Sequence, residues 1–301
     1  MVYTQQFGIF EYMKMKKVAA IDIGSNAMRL LINNVFEYQG VTYYKKVDIV
    51  RVPIRLGTEA FTLKEISAHT SKRLLTAMHA YKNLMEAHEI SAYRGCATSA
   101  MREAENGAQL IEQIKKETGL VIEIIDGKEE AEIIYANHIE KLIDDKKAYL
   151  YVDVGGGSTE ITYFDNGETV NSNSFNIGTI RILNDMVSSP MWQEMKIWLE
   201  ENIKGTDLEL IGSGGNINKV SKISRRDPKK PLTYDYLNSF FKMLQTFTYE
   251  ERIVDLDLNP DRADVIIPAL SIFTKIMKWT KAKQIYVPKI GLADGIIKQL
   301  A

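Results

Sequence analysis

The sequence predicts an α/β fold of two tandem domains, each with the element order βββαβαβα, which face each other across a cleft. Apolar runs rich in β-branched residues alternate with amphipathic helical patterns, as is typical of sheets with helical crossovers. The element order of the first half then occurs again in the second half. Such sheets bind ligands at the carboxyl ends of their strands, so two facing domains would form one shared cleft.

The first half begins with three consecutive strands and continues with alternating helices and strands. Strands are predicted near 18–23, 28–36, 42–52, 92–97 and 120–125, and helices near 66–89, 107–117 and 128–143. The longest of these helices carries an apolar stripe at helical spacing, formed by Leu74, Leu75, Met78, Tyr81, Leu84 and Met85.

The second half repeats this order, with extra helices between its last two strands. Strands are predicted near 148–153, 159–164, 168–175, 207–212 and 284–287, with helical segments between 178 and 203, further helices to about 280 and a last helix from about 291. A polar segment, 144–147, is predicted to join the halves. The expected domains are 1–143 and 144–301, with a loose leader at 1–16 and a last helix that packs back onto the first domain.

Composition and charge narrow the classes of function. The 301 residues are 45% hydrophobic and 26% charged, as in globular proteins. A net charge of −1 provides no overall field that would draw the chain to nucleic acid or to an anionic membrane. No apolar run reaches the roughly 18 residues of a membrane span, and no signal peptide is evident. The single cysteine, Cys96, favours a buried thiol and a reducing, cytoplasmic location.

Two Gly-rich loops that follow apolar strands are the most informative feature of the chain. The first is Asp-Ile-Gly-Ser-Asn at 22–26, and the second is Asp-Val-Gly-Gly-Gly-Ser-Thr-Glu at 153–160. Glycines let backbone N–H groups approach an anion closely, hydroxyl groups add hydrogen bonds, and the aspartates can hold a divalent cation. One such loop would indicate only a turn, but two in matching contexts predict facing phosphate cradles. Hydrogen bonds to phosphate are expected from Gly24, Ser25, Asn26, Gly155, Gly156, Gly157, Ser158 and Thr159.

These loops, with the segment Gly-Lys-Glu-Glu-Ala at 127–131 between them, resemble the motifs of the exopolyphosphatase/guanosine pentaphosphate phosphohydrolase (Ppx/GppA) family. Further matching segments, in the family's order, are 55–57, 97–102, 212–216, 262–269 and 291–295. The resemblance implies the fold of the acetate kinase, sugar kinase, Hsp70 and actin superfamily, with two tandem RNase H-like (actin-like ATPase) domains. The chain resembles the short, two-domain members, since the C-terminal HD-like region of longer members is not in the sequence. It departs from the family at Ala293, where a basic residue is usual.

The activity that the resemblance implies is a metal-dependent phosphohydrolase. It would release the terminal phosphate of inorganic polyphosphate or the 5′ γ-phosphate of guanosine pentaphosphate. The resemblance gives Glu130 the role of general base on the attacking water, with Glu129 as the alternative. Both acids also open a predicted helix, where the helix dipole favours them for structural reasons alone.

The resemblance also suggests which residues hold metal and phosphate. Asp22, Asp153 and Glu160 are the candidate ligands of Mg²⁺, through water, with Mn²⁺ as the alternative cation. Arg29 and Arg102 would bind phosphate oxygens near the scissile bond, since a guanidinium can do so in bidentate fashion. Further phosphate contacts are expected from Thr98, Gly214 and Gly215. The alternatives are an outward-facing Glu160, arginines on a solvated face, and a purely structural helix-start turn at 212–216.

Two other functions stay open on the sequence. One is a phosphotransferase of the same superfamily that uses ATP, and the other is a sensor that binds guanosine tetraphosphate or pentaphosphate with little turnover. A basic cluster, formed by Arg225, Arg226, Lys229 and Lys230, would either guide a phosphate chain or be a solvated loop. The sequence decides neither between polymer and nucleotide as substrate nor whether the chain forms a homodimer.

Overall fold

The structure, a computed structural model, describes residues 15–135, 147–204, 208–227, 229–288 and 290–301. The greater part of the expected leader at 1–16 lies outside these ranges. The end of the helix expected to reach 143 and most of the polar segment at 144–147 also lie outside them.

The first half forms a five-stranded mixed sheet with the strand order β3-β2-β1-β4-β5. Its strands are β1 (Met15–Ile23), β2 (Met28–Tyr38), β3 (Val41–Val52), β4 (Ala92–Ala97) and β5 (Glu123–Ile124). Its helices are α1 (Leu56–Thr62), α2 (Ala68–Ala87), α3 (Ser99–Glu103), α4 (Gly107–Thr118) and α5 (Gly127–Tyr135). β1 lies at the centre, antiparallel to β2 and parallel to β4.

The second half forms a six-stranded sheet with the order β10-β11-β9-β6-β7-β8. Its strands are β6 (Ala148–Val154), β7 (Thr159–Asp165), β8 (Glu168–Phe175), β9 (Leu208–Ser213), β10 (Leu232–Thr233) and β11 (Gln284–Tyr286). Its helices are α6 (Thr179–Leu183), α7 (Ser189–Asn202), α8 (Gly215–Ile223), α9 (Tyr234–Thr246), α10 (Tyr249–Val254), α11 (Pro260–Ala263), α12 (Ile266–Thr280) and α13 (Leu292–Gln299).

The two sheets share one topology, which confirms the predicted duplicated α/β fold. The order β8-β7-β6-β9-β11 in the second sheet corresponds to β3-β2-β1-β4-β5 in the first, with β10 added at the edge. Strand β10 and the short helices α1 and α3 are not predicted from the sequence. These segments are too short to show a period of their own, and their apolar residues serve the core of the neighbouring elements.

The first hairpins of the two halves are built alike. Asp22 pairs with Arg29 across β1 and β2, and Asp153 pairs with Glu160 across β6 and β7. Each four-residue loop is closed by the same backbone hydrogen bond, from Gly24 N–H to the carbonyl of Ala27 at 3.2 Å and from Gly155 N–H to that of Ser158 at 3.0 Å. The carboxylates therefore stand at equivalent strand ends.

Each sheet has its own apolar core, and a third cluster connects the two. This third cluster includes Val18 and Ala20 of β1, Tyr149 and Tyr151 of β6, and buried side chains of α5 and α13. The last helix, α13, packs against α5 and β1. A Cβ atom on Gly295 would lie 2.0 Å from the carbonyl oxygen of Ile133, so only glycine permits this approach of α13 to α5. The exact domain boundary stays a prediction.

None of the helices in the described ranges combines the length and the apolar character needed to cross a lipid bilayer.

Candidate functional site

A cleft opens between the two sheets, at the carboxyl ends of β1, β4, β6 and β9. Both Gly-rich loops line it, and so do residues of α5, α8, α11 and α13. The cleft brings together most of the residues that the sequence singled out, namely Asp22, Gly24, Ser25, Asn26, Arg29, Thr98, Glu130, Asp153, Gly155, Gly156, Ser158, Gly214 and Gly215. Ala293, the residue that departs from the family motif, lines the cleft as well.

The two loops contact each other directly at the bottom of the cleft. A Cβ atom on Gly156 would lie 2.8 Å from Cβ of Ser25 and 3.4 Å from the backbone nitrogen of Asn26. The Ser25 hydroxyl in turn lies 2.9 Å from that of Ser99. The glycine at 156 thus permits the halves to meet, in addition to any contact of its N–H group with an anion.

Three carboxylates form an acidic group beside the loops. One oxygen from each of Glu130, Asp153 and Glu160 lies within 4.8 Å of the others. The pairing of β6 with β7 places Asp153 opposite Glu160, and α5 brings Glu130 to them from the other half. Ser174 on β8 donates to Oε1 of Glu160 at 2.9 Å. Oε2 of Glu130 is buried and has no hydrogen-bond partner in the part of the chain that the structure describes.

Burial raises the pKa of each carboxyl in this acidic group. The pKa of Glu130 is well above its usual range, because burial and the charges of Glu160 and Asp153 disfavour its ionised form. Burial and the charge of Asp153 raise the pKa of Glu160 to about 7. Burial raises the pKa of Asp153 to about 6, although a hydrogen bond from Ser213 opposes the change. These anions repel one another, so a cation among them would be stabilising.

The acidic group fits a hard divalent cation. Mg²⁺ prefers carboxylate oxygens and keeps several of its waters, and the unpartnered oxygen of Glu130 is a suitable acceptor for such a water. Asp22, the third residue expected to bind metal, stands apart from the acidic group. Its Oδ2 is 3.2 Å from Nη1 of Arg29, its cross-strand neighbour. Burial raises its pKa as well, while Arg29 opposes that rise.

The structure distinguishes the two adjacent acids at the start of α5. Asp126 caps this helix by accepting from the backbone N–H of Glu129 at 2.8 Å. The Glu129 carboxylate turns to Arg94, with an N–O distance of 2.7 Å, whereas Glu130 lines the cleft. The Glu129 side chain therefore forms an ion pair on the outer side of α5, away from the cleft.

Four expected site residues lie behind the cleft wall. Arg102 donates from Nη1 to the backbone carbonyl of Ile125 at 2.7 Å, just before α5. The hydroxyl of Thr159 is fully buried and donates to the carbonyl of Ile177. Gly157 packs against Ser99, and Glu160 is the buried member of the acidic group. The basic cluster at 225–230 is exposed, and Arg226 lies over the ring of Tyr236.

The cleft also contains cations that are not among the predicted site residues. Arg51 is the cross-strand partner of Arg29, and Arg262 donates to the carbonyl of Gly215. Lys46 pairs with Asp294 of α13 at 3.4 Å. Arg262 belongs to the segment 262–269, which resembles a family motif, and this resemblance could have identified Arg262 as a site residue. Arg51 and Lys46 could have been found only from the register of β2 and β3.

Comparison with known proteins places this fold and cleft in one family. Residues 45–301 match the model of the Ppx/GppA phosphatase family. Exopolyphosphatase 2 of Mycobacterium tuberculosis is 27% identical, over 96% of this chain and 100% of that protein. The bifunctional 3-dehydroquinate synthase/phosphatase of Fusobacterium nucleatum is 29% identical over 87% of this chain, which spans only 43% of that relative's length.

Solved structures show the same fold. The Ppx/GppA family member of Aquifex aeolicus has a TM-score of 0.75 at 24% identity, over 95% of this chain and 98% of that one. An exopolyphosphatase from Cytophaga hutchinsonii has a TM-score of 0.79 at 21% identity, over 95% and 97% of the two chains. The shared topology and the match to most of the sequence lead to one conclusion: the chain belongs to the Ppx/GppA phosphatase family.

Proposed function

We propose that this protein is a phosphoanhydride hydrolase that releases the terminal phosphate of inorganic polyphosphate or the 5′ γ-phosphate of guanosine pentaphosphate. The family supports a phosphohydrolase, and several relatives bear the name exopolyphosphatase. The observation that carries the proposal is the carboxylate of Glu130. It lines the cleft beside both loops, and its buried Oε2 lacks a hydrogen-bond partner among the described residues.

In this proposal Glu130 acts as the general base. It accepts a proton from water, whose oxygen forms a bond to the terminal phosphorus while the bridging P–O bond breaks and the shortened chain leaves. Backbone N–H groups of the two loops other than those of Gly24 and Gly155, which close the hairpins, hold the phosphate oxygens together with Ser25 and Ser158. Arg29, which lines the cleft beside Asp22, offsets negative charge on the transferring group.

The cation of the proposed reaction is Mg²⁺, with Mn²⁺ as the alternative. Asp153 and Glu160 would hold it, and Asp22 would contact it through water. When bound, it neutralises phosphate charge and favours the ionised forms of nearby carboxyls. The raised pKa of Glu130 makes this second effect relevant, because a base must be ionised to accept the proton. We place the activity in the cytoplasm, as the single cysteine suggested.

The decisive experiment compares Glu130→Gln with Glu129→Gln. Purified protein with Mg²⁺ is supplied with long-chain polyphosphate and, separately, with guanosine pentaphosphate, and released phosphate is measured. We expect Glu130→Gln to lower turnover at least about 100-fold, because it removes the base. Glu129→Gln changes only a partner of Arg94 and should retain turnover within about threefold. Equal effects of the two substitutions, or no phosphate release from either substrate, would reject the mechanism.

A further inference from the structure

Three arginines line the cleft, two from the first half of the chain and one from the second. Arg29 and Arg51 are cross-strand partners on β2 and β3, and Arg262 lies on α11. Burial lowers the pKa of Arg262 to about 10, and the charges of Arg51 and Arg29 contribute to this lowering. The charges of Arg29 and Arg51 therefore disfavour the ionised form of Arg262, and Arg29 and Arg51 each face a carboxylate, Asp22 and Asp261. An anion bound among these arginines would offset that effect on Arg262.

Arg51 uses only part of its hydrogen-bonding capacity. Its Nη2 donates to Oδ2 of Asp261, and its side chain is 19% exposed. Its Nε is buried and has no acceptor in the described ranges of the chain. A guanidinium presents its donors as a planar fork suited to two oxygens of one anion, and a buried donor left without an acceptor is unfavourable. The guanidinium thus has an unused donor that Asp261 does not satisfy.

Asp261 reaches Arg51 from the other half of the molecule. It belongs to the single turn α11, whereas Arg51 belongs to the first sheet. Asn26 of the first loop donates to the backbone carbonyl of Asp261 at 3.1 Å. This hydrogen bond holds the backbone of α11 in place and does not involve the Asp261 carboxylate. The Asp261 carboxylate can therefore leave Arg51 while the backbone of α11 stays held.

A second ion pair joins the same two segments and provides a natural control. Nη1 of Arg55 lies 2.7 Å from Oδ2 of Asp264, and both side chains are partly buried. The pair has the same chemistry as Arg51 and Asp261, but neither of its residues is among those that line the cleft.

We propose that Arg51 binds a phosphate group of the substrate, and that Asp261 holds its guanidinium until that phosphate displaces the carboxylate. The inference rests on the proposed hydrolysis and adds a phosphate subsite to it. A phosphate can accept from Nη2 and Nε together, which the bond to Asp261 does not achieve. Because Arg51 and Asp261 lie in different halves, substrate binding would exchange an interaction between the halves for one with the substrate.

Calorimetry with a non-hydrolysable ligand tests the subsite without turnover. The probe is the bis-methylene analogue of inorganic triphosphate, added with Mg²⁺. We expect Arg51→Gln to weaken binding about tenfold or more, and Arg51→Lys to lie between this variant and the unsubstituted chain. Asp261→Asn should tighten binding about three- to tenfold, because it removes a competing anion. In the Arg51→Gln background, Asp261→Asn should have no effect.

The matched controls are Arg55→Gln and Asp264→Asn, whose affinities should stay within about twofold of the unsubstituted chain. Thermal unfolding of each variant establishes that it folds. Weaker binding by Asp261→Asn, or equal changes in the control pair, would show that these ion pairs only join the halves and would overturn the inference. Binding that Arg51→Gln and Arg51→Lys leave unchanged would do the same. Failure of the unsubstituted chain to bind the probe would instead contradict the proposed function itself.

Discussion

At the scale of single residues, the ionised carboxylates of the site are electrostatically unfavourable in the folded protein. Glu160 is buried, Glu130 and Asp153 are half-buried, and the closeness of the three carboxyls favours their protonated forms. Such a group does not stabilise the fold, since like charges buried together are destabilising. It is suited to a bound cation and to a proton acceptor whose ionisation depends on its surroundings.

A substitution of Arg102 tests whether the ionisation of Glu130 depends on the charges around it. It was expected at the scissile phosphate, yet it bonds to the carbonyl of Ile125, and its positive charge lowers the pKa of Glu130. Arg102→Gln retains a donor for Ile125 but removes the charge, so the pKa of Glu130 should rise. Because the base works only when ionised, the acidic limb of the kcat/KM profile should move to higher pH. The profile of phosphate release against pH measures this.

A matched control for Arg102→Gln is Arg94→Gln. Arg94 lies beside the same helix but bonds to Glu123 and Glu129 on its outer side. We expect the acidic limb of this variant to stay in place. A lower kcat for Arg102→Gln with an unmoved limb would mean that Arg102 acts only by holding the backbone before α5.

At the scale of elements, the sequence predicted what depends on local order and missed what depends on register. The loops at 22–26 and 153–160 follow their strands directly, so their meeting could be inferred from strand order. Arg51 could not be inferred in this way. If the pairing that starts at Tyr38 and Val41 continued without interruption, Val50 would lie opposite Arg29. A bulge between Ile32 and Asn33 shifts the register by one residue, so that Arg51 lies there instead. A shift of one residue moves a side chain to the other face of a sheet.

The packing of α13 on α5 provides a test at this scale. A Cβ atom on Gly295 would lie 2.0 Å from the carbonyl oxygen of Ile133, so Gly295→Ala must push α13 away from the helix that carries Glu130. We expect a loss of about 1–3 kcal/mol in the free energy of unfolding, as for other overpacked sites. Phosphate release should fall as well, since Glu130 moves with α5. Urea unfolding and the turnover assay measure the two effects.

The control for this prediction is Gly291→Ala on the same segment. A Cβ atom there would meet no atom within 4 Å among the described residues, and the backbone is extended with φ near −167°. Its free energy of unfolding should change by less than about 0.5 kcal/mol. Equal destabilisation by both substitutions would mean that α13 does not depend on close contact at Gly295.

At the scale of the whole molecule, duplication has produced two hairpins with one geometry and different charge. Arg29 and Glu160 occupy equivalent positions opposite their aspartates. The next strand carries Arg51 in the first half and Ser174 in the second. The first hairpin therefore adds arginines to the cleft, whereas the second adds two carboxylates to the acidic group, which Glu130 of the first half completes. A magnesium–phosphate complex needs both, because its phosphate oxygens favour guanidinium groups and its metal favours carboxylates.

The acidic group makes the stability of the metal-free protein depend on pH. The pKa of Glu160 is about 7 in the folded chain against 4.5 ordinarily, and that of Asp153 is about 6 against 3.8. The folded state thus binds protons more tightly than the unfolded state. The resulting stability is complete below the unfolded pKa values and is lost as pH rises through the folded ones. Between about pH 5.5 and 8, the ionisation of the acidic group should lower the free energy of unfolding by at least an amount on the order of 2 kcal/mol.

The measurement is the free energy of unfolding in EDTA at several pH values, for the unsubstituted chain, Glu160→Gln and the control Glu129→Gln. Glu160→Gln should show a shallower fall because it cannot ionise, whereas Glu129→Gln should follow the unsubstituted chain. Saturating Mg²⁺ should stabilise the chain more at pH 8 than at pH 5.5, since a cation binds the ionised carboxylates and competes with protons. Equal slopes for the Glu160 and Glu129 variants, or stabilisation by Mg²⁺ that does not change with pH, would contradict a cation site at the acidic group.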